Sequence, residues 1–106
     1  MNHFTLHHMD GNEDSNRPLS CLELLYIELF SSSYPDGTVA VSNDDLALFI
    51  EACRTDKKII LIDATNLLTG KHMNNVPKER VIELWKLLIE GKTDEIFAQP
   101  WKDWYT

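Results

Sequence analysis

A chain of 106 residues, 43% hydrophobic and 25% charged, has room for one domain with one modest core, and it contains nothing like the ~20 consecutive apolar residues that a membrane span needs. Its two cysteines are too few for a disulfide framework, and without a CxxC or a Cys/His pair at zinc spacing neither a metal site nor a cofactor is expected. The net charge of −7 is lopsided: residues 1–56 hold ten acids and two bases (−8), residues 57–106 seven acids and eight bases (+1), and an amino-terminal half of that sign repels phosphate and argues against direct contact with nucleic acid.

The amino terminus, MNHFTLHHMDGNED, lacks the basic start and apolar stretch of a secretory signal, so a cytoplasmic protein is expected. Residues 3–9 alternate as a short strand, with Phe4, Leu6 and His8 on one face and His3, Thr5, His7 and Met9 on the other. DGNEDSNRP (10–18) is polar and rich in turn formers, and reads as a loop. LSCLELLYIELFS (19–31) follows. As a helix over 20–31 it carries Leu22, Leu25, Tyr26 and Leu29 on one face, and Leu24, Ile27 and Phe30 on another. A helix apolar nearly all round is enclosed by its own protein or covers a partner. SSSYPDG (31–37) ends it with a turn centred on Pro35-Asp36-Gly37.

Thr38–Val41 reads as a very short strand. Ser42 and Asp45 match the capping-box spacing, and Leu46, Phe49, Ile50 and Cys53 follow at i, i+3, i+4 and i+7, which predicts a helix near 43–54. Cys21 and Cys53 then fall on apolar helix sides as reduced thiols. Lys58–Ile62 is a β-branched run of the kind buried on both faces, predicted as the central strand (58–62) of a small sheet. Residues 64–76 read as loop, or begin with a short helical turn at Thr65–Leu68. Pro77 opens a helix over 77–90 with Val81, Leu84, Trp85 and Leu88 in one stripe and Gly91 as its C-cap. Thr93-Asp94-Glu95 starts one more turn, which Pro100 stops. The expected fold is a single α/β or α+β domain with about three helices packed on that sheet.

Three function classes follow. IDATNLL (62–68) resembles the opening motif of PIN and NYN-type ribonucleases. The resemblance implies that Asp63 binds a divalent metal, with Asn66 supporting the turn and further strand–helix units supplying partner acids; Glu79 and Glu83 are the acids on the next helix. It is the least favoured class, because too few residues follow Asp63 to build those units, and the plain reading is that Asp63 caps the turn after its strand. The favoured class is non-catalytic: a small acidic protein that binds and inhibits a basic partner, as an immunity protein or antitoxin neutralises a toxin such as a nuclease. Its contacts are expected at Asp36, Asp44, Asp45, Glu51 and Asp56, with Trp101 and Trp104 as aromatic anchors. The alternative is a structural or adaptor subunit that uses helix 20–31 for homo- or hetero-oligomerisation.

Overall fold

The computed structural model describes residues 3–15, 17–31, 37–63 and 71–103. Strands β1 (Phe4–His7), β2 (Glu13–Ser15), β3 (Thr38–Asn43), β4 (Leu48–Cys53), β5 (Ile59–Asp63), β6 (Lys71–Met73) and β7 (Lys102–Asp103) form one seven-stranded sheet in the order β2-β1-β3-β4-β5-β6-β7. Every neighbouring pair is antiparallel. Helices α1 (Cys21–Ser31), α2 (Lys78–Ile89) and α3 (Thr93–Phe97) complete a small α+β fold. None of them is long and apolar enough to cross a membrane, among the described residues.

Alternation sorts the strands into two faces. Phe4 and Leu6, Val39 and Val41, Leu48, Ile50 and Ala52, and Ile59 and Leu61 point to one side. There they join Leu22, Leu25, Tyr26 and Leu29 of α1, Val81, Leu84, Trp85 and Leu88 of α2, and Ile96 of α3 in one hydrophobic cluster. The Trp85 indole N–H donates to the Ile50 carbonyl at 2.9 Å, so the largest core side chain is also bonded to β4. Gly91 ends α2 at φ 75°, a conformation that only glycine adopts without strain. The Lys92 amide there reaches back to the Leu87 carbonyl at 2.9 Å.

The helix expected over 43–54 does not form. Thr38–Asn43 and Leu48–Cys53 are instead two strands of a hairpin, in register from Thr38↔Cys53 to Asn43↔Leu48. Ser42 caps no helix; it lies within β3. The decisive residue is Asn43, which is fully buried. Its Oδ1 accepts the amides of Asp45 and Leu46, both at 3.1 Å, and its Nδ2 donates to the Leu88 carbonyl of α2 at 2.9 Å. An Asn side chain that bonds amides two and three residues on builds a turn in place of a helical start. The apolar run 46–53 satisfies a period of two as well as one of 3.6, and pairing with β3 and β5 selects the strand.

The segment 58–62 is an interior strand, shifted by one residue at each end and flanked by β4 and β6. Two segments expected as loop contain short strands, β2 and β6, each three residues long. Strands that short carry no readable period. Cys21 and Cys53 are both free thiols, although Cys53 lies on a strand.

A candidate binding site on the open face of the sheet

The second face of the sheet presents Thr5 and His7 of β1, Thr38, Ala40 and Ser42 of β3, Phe49, Glu51 and Cys53 of β4, and Ile60 and Ile62 of β5. The buried side chains of all three helices belong to the opposite face, so no described helix covers this one. Register then creates a hollow. His7 stands opposite Ala40, and Ala40 stands opposite Glu51. Ala40 ends at its Cβ, so the two longer side chains rise on either side of a low floor. The cavity has a volume of about 230 Å³ and is lined by His7, His8, Thr38, Val39, Ala40, Phe49 and Glu51. The His7 and Phe49 rings form one wall, their centroids 5.4 Å apart and their planes tilted by 43°.

Glu51 is half-buried. Loss of water around its carboxylate pushes its pKa up, against a smaller opposing effect of a hydrogen bond from Thr38. The neighbouring Cys53 thiol is pushed up to about 11, first by burial and then by the nearby Glu51 charge. A thiol held that firmly in its protonated form is a poor nucleophile.

A chain of hydrogen bonds fixes the wall beside the hollow. His7 Nδ1 lies 3.1 Å from Glu13 Oε1, and His7 Nε2 lies 2.9 Å from Ser42 Oγ. Ser42 Oγ donates to Asp44 Oδ1 at 2.9 Å, and Thr5 Oγ1 donates to Asp44 Oδ2 at 2.7 Å. The order Ser–His–Glu matches that of a nucleophile, its base and an orienting acid. Ser42, however, is only 1% exposed, and its proton points to Asp44. With the Ser42 proton committed there, Nε2 of His7 is left to donate to Ser42 Oγ. The chemistry of this chain is to brace the β1–β3 edge and hold the His7 ring upright.

His8, the next wall residue, is gripped on both nitrogens. Nδ1 meets Glu28 Oε2 and Nε2 meets Asp14 Oδ2, each at 2.7 Å. Its pKa is raised, first by the bond to Glu28 and then by that to Asp14, with burial opposing. The Asp14 carboxyl is lowered in turn, chiefly by His8.

The expected contact residues do not form one cluster. Asp44 and Asp45 sit in the β3–β4 turn, where Asp44 accepts the two hydroxyls and Asp45 accepts the His3 amide at 2.8 Å. That backbone bond is the main reason its pKa is lowered. Asp56 lies beyond the far end of β4, exposed and at φ 59° in the short 3-10 turn Thr55–Lys57. A six-residue strand separates the two ends, roughly 20 Å at strand rise. Glu51 lies between them, in the hollow. Trp101 is half-buried against the core, its indole N–H donating to the Ile96 carbonyl at 2.7 Å, so its ring anchors the tail onto α3. Asp36, Trp104, Asn66 and the turn at Thr65–Leu68 lie outside the described residues. Sequence reasoning missed His7, His8, Ala40 and Phe49; the only available signal was the alternation that puts Thr5 and His7 on the face away from Phe4 and Leu6.

No family model, curated protein or solved structure matches the chain. Asp63 ends β5, and after it the described chain adds to the sheet only the short antiparallel strands β6 and β7. These are not the strand–helix units that the ribonuclease resemblance implies.

Proposed function

We propose that the chain is a non-catalytic acidic protein that captures a basic protein on the open face of its sheet and inhibits it, in the manner of an immunity protein or antitoxin. One observation carries this reading: half-exposed Phe49, Ile60 and Ile62 share a face that no described helix covers with a carboxylate, Glu51, held partly out of water. An apolar centre inside a polar rim is the anatomy of a protein-binding surface, and on this face the rim carries Glu13 at one edge and His72 and Lys102 at the other. The −8 balance of residues 1–56 adds long-range attraction for a basic partner and speeds encounter.

The test uses the product of the adjacent reading frame, since an inhibitor of this kind is usually encoded beside its target. The two proteins are co-expressed, and binding is titrated at low and high salt. Ile60→Lys with Ile62→Lys is expected to abolish the complex. Asp45→Lys with Asp56→Lys is expected to slow association and flatten its salt dependence. If both double variants bind like the parent, the reading is wrong.

A second reading, oligomerisation through α1, is favoured by its outer face, where Leu24 is 65% exposed, Ile27 47% and Phe30 39%. The inner face, Leu22, Leu25, Tyr26 and Leu29, is fully used by the core. Light scattering on the parent and on Leu24→Lys with Ile27→Lys tests it for self-association: a parent dimer that the double variant converts to monomer supports this reading, and a monomeric parent ends its homo-oligomeric form.

A further inference from the structure

The geometry points to an arginine socket: the hollow over Ala40 receives one guanidinium group from the basic partner, held between the Glu51 carboxylate and the Phe49 ring. The inference rests on the proposed capture of a basic partner and names the side chain that does the docking. Four observations support it. The volume, about 230 Å³, is below the range of roughly 300–1,000 Å³ for sites that enclose a drug-sized ligand, and it suits a side chain. The floor is a methyl group because of register, with His7 and Glu51 opposite Ala40 on either side. Among the described residues the lining holds a carboxylate and an aromatic ring, and no lysine or arginine. The charged groups around it are also mostly neutralised by acids, with Lys58 acting on Cys53 next along the face. His8 is offset by Glu28 and Asp14, His7 faces Glu13, and Arg17 is drawn to Asp14 at 3.4 Å.

The choice of arginine over lysine follows from the walls. A guanidinium is flat and weakly hydrated, stacks on an aromatic face, and meets a carboxylate through two parallel N–H donors. An ammonium keeps its water more tightly and gains less from Phe49. A half-buried carboxylate also gains more from an incoming cation than an exposed carboxylate does.

The experiment follows the Glu51 side-chain carboxyl by NMR in the full chain, with N-acetyl-arginine amide and N-acetyl-lysine amide as probes. Arginine amide is expected to lower the Glu51 titration midpoint and shift the Phe49 ring protons, with roughly tenfold weaker saturation by lysine amide. Ala40→Met, which fills the hollow, and Glu51→Gln, which keeps the shape and removes the charge, should each abolish the Phe49 shift. No response at Glu51 and Phe49, an equal response to lysine amide, or a response that survives both substitutions overturns the socket. Should the probes fail while the Ile60 and Ile62 substitutions still disrupt the complex, the socket alone is refuted. Should the probes seat normally while those substitutions change nothing, the partner reading falls and the guanidinium site stands.

Discussion

At the scale of single residues, Glu51 and Asn43 make opposite contributions to stability. Glu51 has a pKa raised above its ordinary 4.5 by burial, so folding is opposed by its charge. An acid with a raised folded pKa binds more protons in the folded state, so its penalty grows as pH rises through 4.5 and the folded value, and is absent below both. Glu51→Gln is therefore expected to raise the urea midpoint at pH 7, with the gain vanishing in acid. A loss of stability on that substitution at neutral pH would contradict the account. A charge kept where it opposes folding is the pattern of a residue retained for binding. Asn43 works the other way. Its side chain satisfies two part-buried turn amides and donates to the α2 carbonyl of Leu88 in a buried bond. Asn43→Ala strands those groups and is expected to cost about 2–4 kcal/mol in urea unfolding. Asn43→Asp keeps the turn acceptors but turns a charged oxygen toward the Leu88 carbonyl, and should be no better.

At the scale of elements, the clamp on His8, the residue just after β1, ties that strand to the edge strand β2 through Asp14 and to α1 through Glu28. The raised His8 pKa means that its contribution is complete below 6.5 and fades as pH climbs through the folded value. The lowered Asp14 carboxyl contributes above its ordinary 3.8 and loses that contribution as pH falls through the folded value. The protection factors of the β2 amides, that is, exchange corrected for its intrinsic base catalysis, should therefore be highest in weakly acidic solution and fall on both sides. In His8→Gln the fall in protection toward alkaline pH should disappear. A parent whose β2 protection is flat from pH 6 to 8 would show that the clamp does not hold the edge. This clamp was illegible in the sequence, because its three members lie in separate elements and only the fold brings them together. Elements with a long unambiguous period were legible. The division of α1 into a buried face at Leu22, Leu25, Tyr26 and Leu29 and an exposed one at Leu24, Ile27 and Phe30 was readable from spacing alone, as was the α2 stripe. The segment 43–54 was not, because LALFIEAC fits both periods and one buried Asn decides between them. The hollow was beyond reach for a related reason: it depends on which small residue faces which large ones across the β1–β3–β4 register.

At the scale of the molecule, the two candidate surfaces lie on opposite sides of one sheet. The helices occupy one face and leave the outer side of α1 uncovered, while Glu51, Phe49, Ile60 and Ile62 occupy the other. The sheet and the core lie between them, and no residue belongs to both surfaces. Their energetics should then be independent, since substitutions without shared partners add. The expectation is specific. Ile60→Lys with Ile62→Lys should alter partner binding and leave the light-scattering mass unchanged. Leu24→Lys with Ile27→Lys should alter only the mass, if the parent self-associates. The quadruple variant should show the sum of the two effects within about 0.5 kcal/mol. If α1 does pair two copies, their sheet faces point outward and the assembly presents two sockets; a partner that is itself dimeric would then bind with an avidity that the α1 substitutions remove. Electrostatics acts on the two surfaces with opposite sign. The net charge of −7 would attract the proposed basic partner, whereas the same charge on each copy opposes self-association. Raising the ionic strength should thus weaken the complex and strengthen any dimer. A shift of both in the same direction would show that the two surfaces are not separate.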